Sequence, residues 1–103
     1  MSAFVAISPV LASASEGSVA FFCKGCDAPH IIHIGQGSGV RWSFNGNYDR
    51  PTFSPSVLVT WAPGRVCHSF ITEGRIKYLD DSFHELAGQT VDLERWTENW
   101  EAW

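Results

Sequence analysis

Apolar and polar residues alternate with a period of two along much of this chain, in short runs cut by glycine, proline and asparagine. That period predicts strands. Ser18 to Cys23 is the first expected strand, and His30 to Ile34 is its hairpin partner. Gly35 to Gly39 reads as a flexible loop. Arg41-Trp42-Ser43-Phe44 then runs into Asn45-Gly46, a pair that tolerates positive φ and so predicts a turn. Thr52 to Trp61 alternates well: Phe53, Val57 and Val59 share one face, while Thr52, Ser54, Ser56 and Leu58 share the other. Pro55 inside that run implies an edge strand or a bulge. Val66 to Thr72 and Arg75 to Leu79 form a second hairpin around Glu73-Gly74, and Gln89 to Leu93 is a last strand. Between them, Asp80-Asp81-Ser82 can cap one helical turn through Phe83-His84-Glu85-Leu86, which Gly88 ends. Trp96, Trp100 and Trp103 recur at helical spacing, so a short C-terminal helix with one aromatic face is expected. The predicted class is mostly β, a small single-domain antiparallel fold.

Length and composition narrow this picture. A chain of 103 residues makes one domain, divided here into an N-terminal segment (1–17), a β domain (18–93) and a Trp-rich tail (94–103). With 45% hydrophobic and 14% aromatic residues it can form a packed core, but a domain this short often needs a staple. The net charge is −4 and the seven basic residues are scattered, so there is no basic stripe for nucleic acid. Phe4 to Leu11 is apolar and Ala12-Ser13-Ala14 has the form of a signal-peptidase site. No basic residue precedes it and Pro9 interrupts it, so a signal peptide is not expected. No apolar run is long enough to span a membrane. Three cysteines, an odd number, argue against a disulfide framework and for a reducing, cytoplasmic compartment. The Trp96/Trp100/Trp103 face either packs on the domain or offers a partner-binding or homodimer surface.

Candidate chemistry begins at Cys23-Lys24-Gly25-Cys26. A C-x2-C knuckle supplies two thiolates to one ion, and Cys67 supplies a third, which points to zinc. Cys67 and His68 are neighbours on a strand and therefore face opposite ways, so only one of them reaches the metal easily. With Cys67 as ligand, His84 is the expected fourth. His30, which follows Cys26 after three residues, and His68 stay open as alternatives, whereas His33 reads as a plain strand histidine. A thiolate-rich set of four is closed, so the zinc is structural rather than hydrolytic. A thioredoxin-like reading is weaker because Asp27-Ala28-Pro29 breaks the chain where a helix is needed. A zinc deaminase needs H-x-E upstream of P-C-x-x-C, an order absent here.

Several motifs in order resemble a small domain-of-unknown-function family common in phages and prophages. They are Phe22-Cys23-Lys24-Gly25-Cys26, Trp42-Ser43-Phe44-Asn45-Gly46, Pro51-Thr52-Phe53-Ser54-Pro55-Ser56-Val57, Cys67-His68-Ser69-Phe70-Ile71, Gly74-Arg75-Ile76 and His84-Glu85-Leu86-Ala87-Gly88-Gln89-Thr90-Val91. The resemblance covers roughly Val19 to Leu93, and Lys24 stands where proline is usual, a change that spares the ligands. Distant relatives sit beside bacterial ubiquitin-like conjugation genes and look like serine peptidases acting on the ubiquitin-like protein. The resemblance implies Ser56 as nucleophile and His68 as base.

The residues themselves allow that reading without requiring it. Ser54 and Ser56 share a face, His68 points away from the Cys67 side, and pairing of the two strands brings a serine hydroxyl near the imidazole. Asp80 or Asp81 can orient the ring, with Asp81 the candidate. Serines in such a proline-rich segment are also ordinary turn formers, and neither a G-x-S-x-G elbow nor an oxyanion hole is legible. Two functions follow. One is a zinc-stapled serine peptidase or hydrolase acting on a peptide or ester bond near a flexible chain end. The other is a non-enzymatic phage accessory protein that binds and inhibits a host defence protein. A third, blander reading is a zinc-bearing structural or regulatory domain.

Overall fold

Among the described residues, nine strands in two antiparallel sheets account for the alternation. The computed structural model of the chain describes residues 5–14, 17–35, 37 and 39–95. The first sheet has the order β1 (Val5–Ala6), β2 (Ala12–Ser13), β3 (Ser18–Cys23), β4 (Ala28–His33). The second has the order β5 (Ser43–Phe44), β6 (Phe53–Ala62), β7 (Arg65–Thr72), β8 (Arg75–Tyr78), β9 (Thr90–Asp92). The expected hairpins β3–β4 and β7–β8 both form. β4 starts two residues earlier than expected, taking in Pro29, and Ile34 is left with a single bridge to Trp42. Pro29 is tolerated because β4 ends its sheet.

The core lies between the inner faces of the two sheets. Val19, Phe21 and Cys23 of β3 and Ile32 of β4 meet Phe53 and Val57 of β6, Cys67 and Ile71 of β7, and Ile76 and Tyr78 of β8. β3 is buried along its whole length because β2 and β4 flank it, and Ala12 and Ala20 pack on its second side. The N-terminal segment is part of this architecture, since β2 pairs with β3 and Leu11 is fully buried.

Register in the second sheet fixes which residues share a face. Leu58 lies opposite His68 and Val59 opposite Cys67. The residues Val57, Cys67, Ser69 and Ile71 are buried, whereas Leu58 and Phe70 on the other face are exposed. The break expected at Pro55 is a register shift between Phe53 and Val57. The Asn45-Gly46 turn widens into a longer connection, closed by Asn45 N–H donating to Thr52 O and by Asn45 Nδ2 donating to Arg50 O.

One expectation is corrected. No helix forms among the described residues, and the turn after Asp80 is not helical. Ser82, the expected cap, spends its hydroxyl on the main chain of His68, accepting from N and donating to O at 3.0 Å each. Its Oγ is therefore committed elsewhere, and residues 79–89 instead form tight turns, with Ser82 N bonding Leu79 O, Ala87 N bonding His84 O and Gln89 N bonding Leu86 O. Trp96, Trp100 and Trp103, and so the predicted tail helix, lie outside the described residues.

Candidate functional site

Alternation along β7 sends two adjacent side chains to opposite sides of the sheet, and each meets a different cluster. On the inner side, Cys67 joins the knuckle that closes the β3–β4 hairpin. Cys23 is the last residue of β3 and pairs with Ala28, and Asp27 takes φ 54° to complete the bend. The ligand atoms of Cys23, Cys26, Cys67 and His84 all lie within 4.8 Å of one another. Cys23 Sγ is 3.8 Å from Cys67 Sγ, and Cys67 Sγ is 3.3 Å from His84 Nε2. A tetrahedral ion with metal–sulfur bonds of about 2.3 Å requires sulfur–sulfur edges of about 3.8 Å, so this donor set fits a four-coordinate metal.

The surroundings hold the donors in place. Tyr78 Oη lies 3.2 Å from Cys23 Sγ and accepts the Gly25 N–H at 3.2 Å, and its ring meets the His84 imidazole edge-on at 4.5 Å. Trp61 Nε1 donates to Cys26 Sγ at 3.3 Å. A Cβ on Gly25 would collide with the His84 ring. Gly25→Ala is therefore expected to displace His84 and weaken metal affinity by about 10–100-fold, as read by competition with a chromogenic chelator.

Electrostatics agree with a cation at this point. Hydrogen bonds from Cys26 and then Cys67 hold the Cys23 thiol far below its usual range, with His30 adding to the effect. Cys67 moves the other way, because Cys23 and Cys26 crowd it and burial adds to the effect. Without a cation the sulfurs cannot all ionise together; a divalent metal removes that conflict. His30 lies opposite Phe21 on β4, buried against the knuckle, and its Nε2 has no hydrogen-bond partner among the described residues. Burial disfavours a charged ring there, but the Cys23 and Cys26 sulfurs outweigh it and raise the His30 pKa to about 9. The cluster of four thus contains His84, while His30 sits beside it and His68 faces away.

On the outer side, His68 meets the serine. Ser56 precedes Val57, so it stands diagonal to His68 across the β6–β7 pair and on its face. Ser56 Oγ is 2.9 Å from His68 Nε2, and His68 Nδ1 is 3.1 Å from Asp81 Oδ2. Ser54 lies on the far side of the register shift, paired with Ser43 and exposed. Asp81 is in place because Ser82, the next residue, clamps the His68 main chain and Leu79 N donates to His68 O at 2.8 Å. The His68 side chain is 25% exposed and that of Asp81 56%, so the pair adds only about 0–1 kcal/mol of stability. What the carboxylate supplies is orientation of the ring and choice of its tautomer.

Sequence reasoning missed Ser82, Tyr78 and Trp61. Tyr78 was within reach: in Arg75 to Tyr78 the two basic residues face outward, so alternation turns the tyrosine inward, where its hydroxyl needs a partner. Ser82 and Trp61 act through contacts between distant segments, for which the local pattern carries no signal.

A profile described as "Bacterial ubiquitination-like system serine protease (BubE)" matches residues 5–79. No curated protein and no solved structure matches the chain. The matched span takes in both strands of the Ser56–His68 pair and three of the four clustered metal donors, and it covers well over half of the chain. The chain belongs to the bacterial ubiquitination-like system serine protease (BubE) family.

Proposed function

We propose that this protein is a zinc-stapled serine peptidase in which Ser56 is the nucleophile, His68 the general base and Asp81 the residue that orients His68. The carrying observation is the linked geometry, Ser56 Oγ to His68 Nε2 at 2.9 Å and His68 Nδ1 to Asp81 Oδ2 at 3.1 Å. In the reaction, His68 Nε2 takes the hydroxyl proton as Ser56 Oγ bonds to the substrate carbonyl carbon, and Asp81 holds the proton on Nδ1. Collapse of the tetrahedral species breaks the C–N bond, with His68 returning its proton to the departing amine. Water then attacks the Ser56 ester by the same route, releasing the acid and restoring the hydroxyl.

Cys23, Cys26, Cys67 and His84 would hold a zinc ion, whose part would be structural, since four protein ligands leave no open position. The staple bears on catalysis only through position. It would tie the β3–β4 hairpin to β7 and to the 79–89 turn segment, which carries Asp81 as well as His84. Family membership, in a serine protease of a ubiquitination-like system, favours a ubiquitin-like protein as the substrate.

The test uses the zinc-loaded protein and a ubiquitin-like protein from a bacterial conjugation system bearing a short C-terminal extension, with products read by mass spectrometry. A single cut at the tail is expected. Failure to cut either this protein or a pool of unstructured peptides would overturn the assignment. Asp81→Asn is expected to lower kcat by about 10²-fold with little change in KM. The effect should be smaller than for a buried triad carboxylate, because Asp81 is more than half exposed. A steady-state comparison of the two proteins checks it.

A further inference from the structure

Beyond Ser56, β6 has β7 on one side and no strand on the other among the described residues. β5 is only two residues long and pairs with Phe53 and Ser54 alone. The direction of the unpaired main-chain groups follows from β7. His68 N–H donates to Ser82 Oγ, and His68 O accepts from Leu79 N and Ser82 Oγ, so neither group faces β6. His68 and the residue opposite it, Leu58, therefore form a pair without mutual hydrogen bonds, and the N–H and C=O of Leu58 point away from β7. The same holds at Thr60, since its opposite number Val66 gives its carbonyl to Phe83 N. Ser56 O points to that same side and is taken there by Trp42 Nε1 at 3.2 Å. The outer margin of β6 is thus a short free edge, capped by an indole at the serine and open at Leu58 and Thr60. Both residues are exposed, Leu58 to 56%.

Resting on the assignment of Ser56 as nucleophile, we propose that the substrate is an extended peptide segment that adds to this edge as a further strand. Its main chain hydrogen-bonds to Leu58 and Thr60, and its scissile carbonyl leaves the edge at Ser56, where Trp42 ends the pairing. A free edge supplies donors and acceptors to any unfolded segment, so recognition rests on the main chain first. Alternate side chains of the bound segment then lie over the outer face beside Leu58. A chain tail or an interdomain linker presents such an extended segment, its main chain unpaired.

The experiment measures kcat/KM on a short fluorogenic peptide cleaved by the protein, alongside the same peptide N-methylated at one residue at a time. Sensitivity of period two is expected: methylation at the residues facing Leu58 and Thr60 lowers kcat/KM by about 10-fold or more, and their neighbours are indifferent. Leu58→Pro deletes one outward N–H without touching the β6–β7 ladder. It should lower kcat/KM for the peptide by a similar factor while fluorophosphonate labelling of Ser56 stays within about 2-fold. Should Leu58→Pro fail to fold, the N-methyl series on the unaltered protein decides alone. Labelling of Ser56 with no periodic response to methylation overturns strand addition and leaves the nucleophile assignment standing. Absence of labelling in the unaltered protein overturns both.

Discussion

Ser56→Ala is expected to lose at least about 10⁴-fold in kcat while its metal content and unfolding midpoint stay those of the unaltered protein. The reason for a large effect on rate is that no other hydroxyl takes its place. Ser54 lies beyond the register shift, paired with Ser43 and exposed, and Ser82 Oγ is occupied by both main-chain groups of His68. The reason for a small effect on stability is that Ser56 lies on the outer face, only partly buried, and contributes one hydrogen bond to a partly exposed ring. Single-turnover measurement of peptide cleavage, with metal analysis and thermal unfolding on the same samples, separates the two quantities. Retained cleavage would remove Ser56 from the mechanism, and loss of the fold would show that the substitution had tested something else.

Removal of the metal should have the largest effect on stability. Cys23→Ala is expected to destabilise the domain by about 3 kcal/mol or more, and a strong chelator should unfold the unaltered protein reversibly. Cys23 is fully buried and sits where the first sheet meets the second, so its sulfur links β3 to Cys67 on β7 and to Tyr78 on β8. Without a cation, thiols of opposed proton demand are left crowded in the core, as the downward shift at Cys23 and the upward shift at Cys67 record. Tyr78 is affected too, its hydroxyl pushed well above the usual phenol range by burial and by the Cys23 charge. Denaturant unfolding of the metal-loaded and chelator-treated protein measures the difference. Refolding on return of zinc and unchanged stability on chelation are opposite outcomes, and only the first fits a structural staple.

Much of the site was legible because a single rule governs it. Period-two alternation separates Cys67 from His68 wherever a strand runs through both, and the same rule groups Ser56 with Leu58 and against Val57. Once β6 and β7 pair with Leu58 opposite His68, the two clusters have no freedom to exchange partners. The knuckle was legible for a different reason, as two thiols around a glycine carry their own geometry. What stayed hidden depended on contacts between segments far apart in sequence. Asp80-Asp81-Ser82 has the composition of a helix cap, but the serine is drawn to the main chain of a residue fourteen positions away, and the helix never starts. The strands β1 and β2 are two residues each, too short for any periodic signal; β2 is held by pairing with β3, and β1 by pairing with β2. Nor does the sequence say that β5 stops after Phe44 and leaves the edge of β6 open beside the serine.

The coupling of the two clusters through β7 also fixes the order in which experiments should be read. A variant that cannot hold a metal is expected to disturb the 79–89 segment and with it Asp81, so its loss of activity would say nothing about catalytic zinc. The proposed chemistry belongs to the outer face alone, at Ser56 and His68. Its most direct test is the reaction of the metal-loaded protein with a fluorophosphonate, followed by peptide mapping of the adduct. One adduct per chain is expected, on Ser56, formed slowly or not at all in His68→Ala. An unreacted protein, or an adduct on any other serine, would contradict it.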